Sequence, residues 1–122
     1  MIDLLDASVA IDFLRGHEAA RDVVDAANEL AASEITRYEV LAGIRRGEEE
    51  ATEDLLALPH WIPVGEEIAR RAAKLARDYR ASHSGIEDAD YLIAATALEL
   101  DARLLTTNVR HFPMLSGLEA AY

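Results

Sequence analysis

Ile2-Asp3-Leu4-Leu5-Asp6-Ala7-Ser8 is the stretch that decides the fold. Ile2 to Leu5 suit a short strand, and the run stops at the carboxylate of Asp6. Ser8 to Leu14 then reads as a short helix, stopped by Gly16. A short apolar run followed at once by a helical segment is the repeating unit of an α/β fold.

The same alternation continues outward. Glu18 to Ala27 reads as a helix, and Ala31 to Ile35 as a weaker strand. Thr36-Arg37-Tyr38-Glu39 has the spacing of a capping box and predicts a helix to about Arg46, stopped at Gly47. Glu48 to Leu58 is a further helix that Pro59 ends. Trp61-Ile62-Pro63-Val64 is a short strand, and Pro63 places it at a sheet edge. Glu66 to Ala81 is the clearest helix: Ile68, Ala72, Leu75, Ala76 and Tyr79 form one stripe, and Glu66–Arg70 and Glu67–Arg71 are favourable i,i+4 pairs. After the loop 82–85, Glu87 to Leu100 is a helix with Ala89, Leu92, Ile93, Thr96, Ala97 and Leu100 inward. Arg103 to Thr107 is a strand with Asn108 just past its end, and a last strand is expected near Gly117 to Ala120. Residues 1–122 thus read as one α/β domain around a mostly parallel sheet.

Composition narrows the chemistry. The chain of 122 residues carries 23 acids against 12 Lys plus Arg, a formal charge of −11. That sign is wrong for gripping nucleic acid through phosphates, and it suits cation binding or a basic partner. There is no cysteine, so disulfides and thiolate metal sites are excluded. No stretch approaches the roughly 20 apolar residues of a membrane helix, and no signal-peptide pattern is present. A soluble, cytoplasmic protein is the expectation.

Open α/β sheets place their sites beyond the C-terminal ends of the strands. Asp6 and Asn108 fall there. Glu39 lies one turn into the helix after the second strand, and Glu87, Asp88 and Asp90 crowd the start of the late helix. Each acid has a local alternative: Asp6 as a helix cap, Glu39 as the capping partner of Thr36, and the late trio as complements of the helix dipole. Gathered in one cleft, they repel one another unless some protonate or a cation intervenes. Oxygen ligands of this kind suit Mg²⁺ or Mn²⁺. Such ions hold water and phosphate oxygens for phosphodiester cleavage, and supply the positive charge that the chain lacks.

Four blocks occur in order: Leu4-Leu5-Asp6-Ala7-Ser8; Ile35-Thr36-Arg37-Tyr38-Glu39-Val40-Leu41-Ala42-Gly43-Ile44; Asp90-Tyr91-Leu92-Ile93-Ala94-Ala95-Thr96-Ala97; and Leu104-Leu105-Thr106-Thr107-Asn108-Val109-Arg110-His111-Phe112. Together they resemble the PIN-domain family, and within it the VapC toxins of type II toxin–antitoxin systems. The resemblance spans nearly the whole chain. It implies a three-layer α/β/α PIN-like domain and a Mg²⁺-dependent endoribonuclease, with Mn²⁺ able to substitute, that cuts tRNA, rRNA or mRNA. It also implies a homodimer, a cognate VapB-type antitoxin that joins it in a hetero-oligomer, and operator DNA reached only through that antitoxin.

By the same resemblance Asp6, Glu39 and Asp90 are the catalytic acids. Asp6 and Asp90 hold metal directly, Glu39 does so through water or orients the nucleophile, and Asp88 is a rival or helper. Ser8, Thr106 and Asn108 are supporting or weak ligands. Arg15 and Arg37 are candidates for the substrate backbone. The chain departs from the family pattern at Ala7, where Thr is common, and at Asn108, which brings no charge where Asp is frequent. His111 offers an acid–base group or simple packing beside Phe112. Tyr38 and Tyr91 offer base stacking or core packing. A phosphoacceptor receiver domain shares the size and the acidic strand end, but needs a lysine near the last strand. The only lysine here, Lys74, sits inside a helix. A PIN module that binds without cutting is the remaining alternative.

Overall fold

The computed structural model describes all 122 residues. Four strands, β1 (Ile2–Leu5), β2 (Glu29–Ser33), β3 (His60–Ile62) and β4 (Arg103–Leu105), form one parallel sheet in the order β3-β2-β1-β4. Six helices connect them: α1 (Ala7–Leu14), α2 (Glu18–Asp25), α3 (Glu34–Ala42), α4 (Glu49–Leu56), α5 (Glu66–Tyr79) and α6 (Asp88–Leu100). No helix is long and apolar enough to cross a membrane.

The strands of a parallel sheet are covered on both faces, so they are apolar at successive positions rather than at every second one. Leu4, Ala31 and Leu104 face one core with Ile68, Ala72 and Ala76 of α5 and Tyr91, Ala94 and Ala95 of α6. Their chain neighbours Leu5, Ala32 and Leu105 face the other core, with Val9 and Ala10 of α1, Val24 of α2, Val40 of α3 and Leu55 of α4. Helix, sheet and helix therefore form three layers. At the start of the β1–β4 ladder Asp3 stands opposite Arg103, and Arg103 Nε donates to the buried Asp3 carboxylate at 2.8 Å.

Several boundaries differ from the sequence reading. The second strand begins earlier and ends at Ser33, so Ile35 and Thr36 belong to α3. Ser33, not Thr36, caps that helix, accepting from the Ile35 amide at 3.1 Å. Thr36 is fully buried and Glu39 has no capping duty. α3 ends at Ala42 against Gly43, four residues short of expectation, because Gly43 supplies the stop. Arg71 reaches across to Glu99 of α6 at 3.0 Å instead of pairing with Glu67. The strand expected near residues 117–120 does not form. That segment is coil, and with β4 it lines a cavity of about 540 Å³.

Candidate metal centre

Because β1 has β2 on one side and β4 on the other, the chain connections leave it in opposite directions and open a crevice at the strand tips. Asp6 follows β1 directly and is buried. Its amide donates to Leu105 O at 3.0 Å, which continues the β1–β4 ladder by one residue. Its Oδ2 accepts two hydroxyls, from Ser8 Oγ at 2.8 Å and Thr106 Oγ1 at 2.7 Å. Both hydroxyls are themselves fixed: Ser8 Oγ accepts the Thr107 amide at 3.1 Å, and Thr106 Oγ1 accepts the Asn108 amide at 3.0 Å. Asp6 is the residue before α1, yet its side chain makes no capping bond. The carboxylate is turned to the crevice.

Glu39 and Asp90 arrive on helices. α3 begins at the tip of β2, so Glu39 lies in its second turn beside the crevice. α6 runs back toward β4, so its first turn, with Asp90, lies at the same end of the sheet. Asp90 Oδ2 accepts the Glu87 amide at 3.0 Å, the returning bond of a helix cap. His111 Nδ1 stands 3.6 Å from the same oxygen. Glu39 Oε1 is buried with no hydrogen-bond partner.

The electrostatics tie these acids together. Burial pushes the Glu39 carboxyl up to about 7, and the charges of Asp6, Asp90 and Glu87 push in the same direction. Burial also raises Asp90. The Glu87 amide and His111 oppose that rise, whereas Asp6 and Glu87 reinforce it. Glu87 is thus the fourth acid whose charge is felt by Glu39 and Asp90.

Other candidates lie elsewhere. Asp88 is exposed and meets Arg80 at 3.2 Å. Arg15 ends α1, a helix length of about 12 Å from Asp6 at 1.5 Å per residue. Arg37 is held by Glu34 at 2.6 Å and lies over the Trp61 ring at 4.0 Å, toward the β3 edge. Asn108 is exposed, and its contact with the centre is the amide bond to Thr106. Tyr38 is 71% exposed, whereas Tyr91 is in the core.

The donor set is entirely oxygen apart from His111, which suits a hard divalent cation. An unpartnered buried carboxylate oxygen is costly, and a cation is the natural partner for Glu39 Oε1. The side chains do not close into a cage of three or more ligands, in keeping with like charges that repel across an open crevice.

Comparison with known proteins identifies the family. The PIN domain family matches residues 4–116. Ribonuclease VapC19 of Mycobacterium tuberculosis is 50% identical over 123 residues, covering 98% of both chains. Ribonuclease VapC10 of the same organism is 43% identical, covering 98% of this chain and 92% of its own. A toxin–antitoxin complex from Klebsiella pneumoniae contains a chain with a TM-score of 0.84 at 28% identity, covering 98% of each. The chain with Asp6, Glu39 and Asp90 at its strand-tip crevice belongs to the PIN-domain family, in its VapC branch.

Proposed function

We propose that this chain, as one PIN-like domain over residues 1–122, is the toxin of a type II toxin–antitoxin system and a Mg²⁺-dependent endoribonuclease, with Mn²⁺ able to substitute. The observation that carries the reading is the buried, unpartnered Glu39 Oε1 facing the charges of Asp6 and Asp90. The relatives' names as ribonucleases support RNA as the substrate class, which in this reading is tRNA, rRNA or mRNA.

In this reading Asp6 and Asp90 hold the cation and Glu39 binds it through water. What a divalent cation supplies here is charge for the scissile phosphate and a more acidic water. Ser8 and Thr106 hold Asp6 Oδ2 by two hydrogen bonds, so that its orientation is set before any ligand arrives. Glu39, whose carboxyl burial and neighbouring acids push up to about 7, would be held ionised by a nearby cation and would then be the group placed to accept a proton from the attacking water. His111 Nδ1 lies 3.6 Å from Asp90 Oδ2, the oxygen that accepts the Glu87 amide, and its ring flanks that side of the carboxylate.

The matched toxin–antitoxin complex supports a VapB-type antitoxin as partner. An acidic crevice is complementary to an antitoxin arginine that pairs with the carboxylates. The same reading makes the toxin a cytoplasmic homodimer that forms a hetero-oligomer with the antitoxin, which alone contacts operator DNA.

The test is cleavage of structured RNA by antitoxin-free protein. Mg²⁺ or Mn²⁺ supports cleavage and EDTA abolishes it; Asp6→Asn loses about a thousandfold or more while keeping its melting temperature. Full activity in EDTA overturns the metal reading.

A further inference from the structure

Residues 121 and 122 make contacts that no part of the mechanism uses. The Ala121 amide donates to Thr106 O at 2.9 Å. Ala121 also packs on the core beneath α1. Tyr122 Oη donates to Asp12 Oδ2 at 2.5 Å, and its ring stacks on His17 with centroids 5.0 Å apart. Asp12 lies in the last half of α1, whereas Ser8 lies in its first turn.

These contacts form one loop of force. Residue 121 grips the peptide of Thr106, whose hydroxyl holds Asp6. Residue 122 grips the far end of the helix that starts at Asp6. Ser8 and Thr106 also meet directly, with hydroxyl oxygens 3.3 Å apart. Helix α1 and the tip of β4 are thus joined at the crevice by hydroxyls and at the other end by Tyr122. Burial and the Asp12 carboxylate both raise the Tyr122 phenol, so it remains a donor throughout the neutral range.

We propose that Ala121 and Tyr122 form a strap that positions Thr106, and through it the Asp6 carboxylate, with Tyr122 acting as a positioning residue. The strap resists separation of β4 from α1 at the end away from the crevice, and so reinforces the Asp6 N to Leu105 O bond and the Ser8 and Thr106 hydroxyl contacts at the crevice. The inference rests on the proposed metal reading for its functional consequence, but not for its structural one.

The experiment has two arms. Amide hydrogen exchange by NMR is measured on metal-free wild type, Tyr122→Ala, Tyr122→Phe and Asp12→Asn, and Mn²⁺ affinity is measured by calorimetry on the same proteins. The Thr107 and Asn108 amides, which donate to the Ser8 and Thr106 hydroxyls, are the reporters. In Tyr122→Ala they exchange about tenfold faster or more, while the Leu4 and Leu104 amides are unchanged, a local opening rather than global unfolding. Mn²⁺ binding weakens about tenfold in the same variant. Asp12→Asn retains an acceptor oxygen and restores both readouts to near wild type, whereas Tyr122→Phe, which keeps the stacking but loses the hydroxyl, falls between.

Unchanged reporters in Tyr122→Ala, or a rise shared by every core amide, overturns the strap. Faster reporters with unchanged Mn²⁺ affinity overturn its link to Asp6. Wild type that binds no Mn²⁺ overturns the metal reading itself, and the exchange arm still decides whether the strap holds the tip of β4.

Discussion

The strand side and the helix side of the crevice are built differently. On the strand side, Asp6 Oδ2 takes two hydroxyl donors, and each hydroxyl is fixed by a backbone amide. On the helix side, Glu39 has a buried oxygen with no donor and a carboxyl raised to about 7, and Asp90 is also raised. On the strand side the carboxylate is satisfied by the protein alone, whereas on the helix side Glu39 Oε1 is left without a protein partner. The contrast assigns orientation to the strands and responsiveness to the helices.

Breaking the responsive half has the largest effect. Glu39→Gln removes the proton acceptor and is expected to lower cleavage about a hundredfold or more. The same variant inverts the usual stability penalty. A carboxyl with a folded pKa near 7 and an unfolded value near 4.5 favours folding below the unfolded value, and that contribution is lost as pH rises toward 7. Metal-free wild type is therefore less stable at pH 8 than at pH 5, by roughly 1 kcal/mol from this group after allowance for solvent screening. Glu39→Gln removes its part of that slope, which urea unfolding at the two pH values measures. Saturating Mg²⁺ raises stability at pH 8 more in wild type than in the variant, which lacks the charge that the cation offsets.

Loosening the oriented half costs less. Thr106→Val keeps the shape, removes one donor to Asp6 and leaves the Asn108 amide without its acceptor. Cleavage is expected to fall about tenfold, and stability by about 1–3 kcal/mol. A loss equal to that of Glu39→Gln breaks the division of labour between the two halves. The smallest effect belongs to Asp88→Asn, whose carboxylate meets Arg80 in solvent. Cleavage stays within about twofold, as an exposed pair contributes little; a large loss redraws the helix side around Asp88.

Much of this was legible from sequence because it depends on local pattern. The β1 stretch, the α5 stripe and the late helix have spacings that one segment fixes by itself, and Asp6 follows from where β1 stops. The capping duties were not legible. Thr36 and Glu39 have the right spacing for a box, but the strand stops at Ser33, short of the expected Ile35, and Ser33 takes the cap and leaves Glu39 free. Asp90, read as a ligand or a dipole partner, is the acid that accepts an amide at a helix start. The helix boundary decides between these roles, and tertiary packing sets the boundary. Arg37 looked available for substrate, but Trp61, 24 positions away, claims its guanidinium. The strap was invisible for the same reason: Tyr122 and Asp12 are 110 positions apart, and neither spacing nor periodicity connects them.

The pairing of Asp3 with Arg103 has a consequence for how this sheet tolerates change. The ladder runs Asp3 to Arg103, Leu4 to Leu104 and Leu5 to Leu105, and its next rung brings Asp6 beside Thr106. A slip of one residue exchanges the two faces of a strand, and here it also separates a buried carboxylate from its guanidinium. The ion pair therefore serves as an alignment mark, placed at the opposite end of the strands from the chemistry. An apolar replacement of both partners preserves burial and is often neutral in stability, yet it leaves the leucines, which are alike on both strands, to choose the register unaided. The same ladder can then fold well and still present its carboxylate one rung out of place.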